Sequence, residues 1–268
     1  MIVQVQGVDA YCYTGGKPFN AAQRTAIFIH GAQNDHSVWC LQTRYFAHHG
    51  FNVLALDLPG HGRSKGQACT SVEAMATWVL AVMDAVGVDK ALMIGHSMGS
   101  LVALEASHIA PQRVSQLALL GTTYPMKVSD ALLDTSKNDE QAAIDMVNIF
   151  SHSSMAHKPS CPGPGFYVMG GARRLMQRMS QLNPDQLFYT DFFACNAYAN
   201  GEAAAAAVTC PVLFMFGAKD MMTPARSTKT LTTSIPHGKV VMVDAGHALM
   251  AEQPDAVLDA LFGFATAR

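Results

Sequence analysis

The sequence predicts an α/β protein built on a mostly parallel sheet with helices on both faces. Two observations carry this: short apolar runs that end in glycine recur along the chain, and helix-like segments separate them. The runs are TAIFIHG at 25 to 31, NVLALDLPG at 52 to 60, KALMIGHS at 90 to 97, VSQLALLGTT at 114 to 123, PVLFMFG at 211 to 217 and GKVVMVDAG at 238 to 246. Their hydrophobicity is continuous rather than alternating, as in strands covered on both faces, and helices between them imply right-handed crossovers.

The N-terminal segments at 2 to 6 and 10 to 14, separated by Gly7-Val8-Asp9, are expected to form an antiparallel edge hairpin. Ser71 to Val86 reads as a helix that starts at a serine followed by Glu73 and stops at Gly87; Met98 to Ile109 reads as another, ending before Pro111. A last helix is expected from Pro254 to about Phe264. Between Pro125 and Val208 the strand rhythm breaks into helix-like pieces and a CPGPG turn at 161 to 165. The expected organisation is therefore one core, 1–124 with 209–268, carrying a helical cap at 125–208. The alanine run at 203 to 207 is expected to be a helix end.

Composition narrows the function. With 268 residues and 50% hydrophobic content a sizeable core is expected, and a disordered chain is not. A net charge of −2 without charged runs argues against nucleic acid and anionic membranes as partners, leaving a small-molecule substrate. No apolar run approaches the roughly 20 residues of a membrane-spanning helix, and the start MIVQVQGVDAYCYTGG lacks the features of a secretory signal. A cytoplasmic protein is expected, with a homodimer as the base-rate expectation for assembly. The six cysteines are scattered, and His48-His49 and His152/His157 lack ligand spacing, so neither a metal nor a cofactor is expected. No dinucleotide fingerprint or P-loop is present.

Gly95-His96-Ser97-Met98-Gly99 matches G-x-S-x-G, between an apolar strand and a helix. A tight strand-to-helix turn crowds out β-carbons at its flanks and projects the serine hydroxyl from the sheet. The helix that follows aims its amides at the same spot, so the Met98 N–H can bind a developing oxyanion. His30-Gly31-Ala32 closes an earlier strand and supplies the Ala32 N–H as second donor.

Together HGAQND at 30 to 35, DLPGHGRS at 57 to 64, GHSMGS at 95 to 100, FGAKDMMTP at 216 to 224 and GHALMAEQP at 246 to 254 resemble the α/β-hydrolase superfamily. The resemblance implies the α/β-hydrolase fold, with eight strands, and a triad in the order serine, acid, histidine: Ser97, Asp220 and His247. Asp220 follows a strand by a short loop, where it can fix the His247 tautomer; its simpler reading is a turn aspartate before Pro224. GTTYPM at 121 to 126 offers no carboxylate at the alternative acid position, and Asp244 remains a competitor whose simpler role is the turn to Gly246. His30 and His96 are expected beside the site; Met126, Phe150, Phe166 and Tyr167 are expected substrate contacts from the cap, with Met155, Met169, Met176 and Phe188 adding to an apolar pocket. Asp57, Gly60, His61, Gly62 and Ser64 are read as structural.

The expected activity is a serine hydrolase that cleaves a small, largely apolar carboxylic ester, lactone or thioester through an acyl-enzyme. The alternatives are a carbon–carbon hydrolase of a dienoic ring-cleavage product, although its relatives usually carry Asn where this chain has His96, and a slow-turnover receptor on the same fold. Cofactor-free lyases, perhydrolases and haloperoxidase-like proteins share the pattern and rank behind the esterase.

Overall fold

A computed structural model describes every residue except 21, 154–166, 184 and 268. The expected CPGPG turn, Met155, His157, Cys161 and Phe166 lie outside the described residues. In chain order the first half comprises β1 (Ile2–Val5), β2 (Val8–Tyr13), β3 (Arg24–Ile29), α1 (Cys40–His48), β4 (Phe51–Leu56), α2 (Val72–Ala85), β5 (Ala91–His96), α3 (Met98–Ile109) and β6 (Val114–Leu120). Then come α4 (Asp130–Asn138), α5 (Glu140–Phe150), α6 (Val168–Leu182), α7 (Leu187–Ala197) and α8 (Gly201–Ala206). The chain finishes with β7 (Val212–Gly217), α9 (Lys229–Ser234), β8 (Lys239–Val243), α10 (Leu249–Glu252) and α11 (Pro254–Thr266).

The strands form one eight-stranded sheet in the order β1-β2-β4-β3-β5-β6-β7-β8. β3 to β8 run parallel, while β1 and β2 are antiparallel at one edge. The hairpin turn is Gln6-Gly7, both with positive φ (53° and 81°), so Val8 and Asp9 join β2 instead of the turn.

Continuous apolarity in the central strands has the expected cause. On β3, Ile27 and Ile29 face a core shared with α2 and α3, while Ala26 and Phe28 face a second core shared with α1 and α11. β5 divides in the same way, Met93 to one face and Leu92 and Ile94 to the other. Ser71 caps α2, its Oγ accepting from Ala74 N, and Gly87 follows the helix with φ +69°. α11 runs two residues past Phe264.

Among the described residues, five helices, α4 to α8, stand between β6 and β7 where the strand rhythm breaks. Leu132, Ala143, Ile144, Val147, Met176, Phe188 and Phe192 give them a small core of their own. Ala194, Cys195, Tyr198, Ala204 and Ala205 instead join the core beneath α3. A buried carboxylate cements that junction: Glu105 on α3 accepts from the Tyr198 hydroxyl at 2.6 Å and from Asn200 Nδ2 at 2.9 Å. Among the described residues, no helix is long and apolar enough to cross a membrane.

Candidate active site

Ser97 stands between β5 and α3 with φ 52° and ψ −120°, a backbone conformation that costs energy for any residue bearing a β-carbon. The flanking glycines are forced by contact. A β-carbon on Gly95 would lie 2.1 Å from the Gly99 carbonyl oxygen, and one on Gly99 would lie 2.4 Å from that of Ile29. Backbone cannot yield at such distances, so Gly99→Ala is expected to destabilise the fold by about 3 kcal/mol, the upper end for overpacking, read as a lower urea midpoint. An unchanged midpoint would show that the turn has slack.

At the far end of the sheet, Asp220 and His247 lie on the loops after β7 and β8. The His247 Nδ1–H donates to Asp220 Oδ2 at 2.8 Å, which leaves Nε2 with its lone pair free to take a proton. Asp220 Oδ1 accepts from the backbone N–H groups of Met222 and Thr223, each at 2.8 Å, and Oδ2 also accepts from the Thr223 hydroxyl at 2.7 Å. Burial pushes the Asp220 carboxyl upward, but the facing imidazole and these donors outweigh it and hold the group well below the usual carboxylate range. Asp244, the competing acid, points to solvent and pairs with Lys219 at 2.8 Å.

His96 Nε2 donates to the His247 carbonyl at 2.8 Å, tying the elbow to the histidine loop. Burial and the neighbouring His247 lower the His96 pKa to about 3, so it remains neutral. Glu252 braces the same loop from beneath, accepting from the Gly246 N–H at 3.1 Å. Neither Thr223 nor Glu252 is singled out by the sequence motifs; an alcohol three residues after the acid was the available signal for Thr223.

Ser97, His96 and His247 open onto one cavity of about 520 Å³. Ala32 lies on its wall, and Met98 is the first residue of α3, where backbone N–H groups have no partner within the helix. Of the expected substrate contacts from the inserted segment, Tyr167 lines the cavity with Val147, Met176 and Phe192. Met126 is not on that wall, because it packs into the core beneath α2 and α3. Phe150 ends α5 with 42% of its surface exposed and lies off the wall as well. His30 is fully buried behind the wall, its Nδ1–H donating to the Gly31 carbonyl at 2.8 Å and its Nε2 accepting from the Leu58 N–H at 3.1 Å. Both ring nitrogens are thus used by backbone.

The DLPGHGRS segment is structural in its contacts. Asp57 accepts from the backbone of His36 and Arg63, and a β-carbon on Gly62 would sit 2.2 Å from its carboxylate. Asp35, His36 and Asp57 converge within 4.8 Å. Their polar atoms serve the loop: His36 Nδ1 meets Asp57 at 2.7 Å, and Asp35 caps the turn at Ser37. The described cysteines are free; burial raises the Cys12 thiol to about 12 and Cys69 to about 11, which keeps both unreactive.

A hydroxyl on a strained turn, an imidazole oriented by a carboxylate and a helix N-terminus meet at one cavity. Residues 26–159, half of the chain, match the sequence profile of the alpha/beta hydrolase fold. The protein belongs to that family. The (E)-2-((N-methylformamido)methylene)succinate hydrolase of Acinetobacter baylyi is 23% identical to it over 246 residues, 88% of each chain. The dihydrolipoyllysine-residue acetyltransferase component of the acetoin cleaving system of Cupriavidus necator is 40% identical over 109 residues. That stretch is 40% of this chain and 28% of the longer relative. The enol-lactonase of Burkholderia xenovorans has a matching fold at 20% identity, with a TM-score of 0.86 over the full length of both chains. The likeness to that lactonase is one of overall fold.

Proposed function

We propose that the protein is a serine hydrolase of small, uncharged, largely apolar carboxylic esters, with lactones and thioesters as chemical variants. One observation carries the reading: the strained Ser97 and the Asp220-oriented His247 share the wall of one 520 Å³ cavity. Ser97 Oγ attacks the carbonyl carbon while His247 Nε2 takes its proton, and the N–H groups of Ala32 and Met98 receive the oxyanion. The imidazolium then protonates the departing alkoxide, leaving an acyl-serine. Water, deprotonated by the same imidazole, attacks that ester and releases the acid.

The cavity wall supports an uncharged substrate. Its described residues include Val38, Leu41, Val147, Val168, Leu175 and Met250 but no Lys, Arg, Asp or Glu. An acyl chain ending in a carboxylate would bury an unpaired charge there, at a cost of several kcal/mol. The A. baylyi relative acts, by its name, on a succinate derivative; this wall favours a neutral acyl group over such an anion, and over a dienoate.

The test is steady turnover of p-nitrophenyl esters of graded acyl length, with intact mass to detect the acyl group and peptide mapping to locate it on Ser97. Neutral C4 to C8 acyl esters are expected to turn over repeatedly. A matched ester ending in carboxylate is expected to be at least about 100-fold poorer in kcat/KM, equal to about 3 kcal/mol. Folded protein giving neither turnover nor adduct would refute the hydrolase, and preference for the anionic ester would refute the neutral pocket.

A further inference from the structure

The Ala32 N–H belongs to a short loop whose peptide planes are held from outside it. Because a trans peptide is planar, fixing a carbonyl also fixes the N–H on its opposite side. The His30 Nδ1–H donates to the Gly31 carbonyl and so orients the plane that carries the Ala32 N–H. The next plane is held at both ends: Asn34 Nδ2 donates to the Ala32 carbonyl at 3.0 Å, and the Gln33 N–H donates to Asp191 Oδ2 at 2.7 Å. Gln33 needs such restraint, since its φ of 56° is disfavoured for a side-chain-bearing residue.

Asp191 comes from α7, an inserted helix 158 residues away in sequence, and is fully buried. Its partner is His61, whose Nε2 meets the same Oδ2 at 2.8 Å and whose Nδ1 faces the Pro59 carbonyl at 3.0 Å. An acceptor faces each ring nitrogen, an arrangement that favours hydrogen on both. Burial alone would neutralise His61, yet Asp191 outweighs burial and raises its pKa. The Gln33 side chain adds a second tie, Nε2 donating to the Met176 carbonyl at 3.1 Å and to Ser180 Oγ at 2.8 Å on α6.

We infer that Asp191 is a positioning residue for the oxyanion site: by gripping the Gln33 N–H it fixes the peptide plane that follows Ala32 and so limits the rotation about Ala32 that would swing its N–H away, making that site complete only while the inserted helices are docked. Asp191 neither lines the cavity nor reaches the reacting atoms. The inference rests on the hydrolase reading, so wild-type turnover and the Ser97 adduct are established first; their absence would overturn that reading and not this one.

Asp191→Ala is expected to lower kcat about 30-fold, less than the 100-fold or more for deleting an oxyanion donor outright, because the Ala32 N–H is misaimed and not removed. KM is expected to stay within about 2-fold, since ground-state contacts are untouched. A trifluoromethyl ketone, whose hemiketal oxyanion sits on the same amides, is expected to weaken by the same factor as kcat. Asp191→Asn is expected to recover kcat to within about 3-fold of wild type, its carboxamide oxygen still accepting from Gln33. The double variant H61L/D191L replaces the buried pair with apolar groups of similar volume, a change that proteins commonly tolerate. It guards against misfolding of Asp191→Ala, and is expected to fold with the same loss of kcat. A raised KM with kcat intact, equal losses in Asp191→Ala and Asp191→Asn, or full activity in the double variant would each overturn the inference.

Discussion

Ser97→Ala, His247→Ala and the double variant are expected to lose the same factor in kcat on a neutral p-nitrophenyl ester, about a million-fold each. The equality follows from the proposed mechanism, in which His247 removes the Ser97 proton: without the imidazole the hydroxyl is a neutral alcohol of negligible nucleophilicity, and without Ser97 the imidazole has nothing to activate but water. The residual rate above background is expected to come from the amides of Ala32 and Met98 and from the cavity itself. Losses that multiply in the double variant would mean that the two residues act independently, and would refute the triad. The measurement requires variants purified free of wild type, and circular dichroism to show that the fold is kept.

Asp220→Asn is expected to lower kcat about ten-thousand-fold with KM little changed. A carboxylate can only accept, so it selects the His247 tautomer with hydrogen on Nδ1 and the lone pair on Nε2. A carboxamide placed among the donors from Met222, Thr223 and His247 can present its NH₂ to the ring, stabilising the tautomer with hydrogen on Nε2, which is no base. The imidazolium formed during reaction also loses its counter-charge. Stability changes in step. The Asp220 carboxyl lies below its ordinary value in the folded protein. Its contribution is therefore present above the unfolded-state value, about 4, and disappears as pH falls through the lower folded-state value. Wild type is expected to exceed Asp220→Asn in urea resistance at pH 7, with the gap closing in acid. A gap that widens below pH 4 would contradict the depressed carboxyl.

The elbow and the strand segments of a mostly parallel sheet were legible because each depends on local chemistry. Gly95 and Gly99 are demanded by contacts within a strand-turn-helix unit and with its neighbour β3, and continuous apolar runs follow from a sheet covered on both faces. Asp220 was favoured over Asp244 by resemblance. Their surroundings separate them physically: one is buried against His247, while the other is exposed beside Lys219. Met126 and Phe150 show where reading by residue type fails. Both are large and apolar in the inserted segment, yet Met126, in the loop before α4, serves the core while Phe150, at the end of α5, faces solvent, because residue type does not say which surface a side chain meets.

By itself the sequence determined the parallel sheet and the strained serine turn, since these follow from periodicity, glycine sterics and short-range spacing. Only the tertiary structure decided which carboxylates are partnered and by what. Asp191 meets His61 and the Gln33 amide, and Glu252 meets the Ser153 amide, through the close packing of segments distant in the chain. The physical reason is that a buried charge must find its donors wherever the fold supplies them, and no local pattern records where that is.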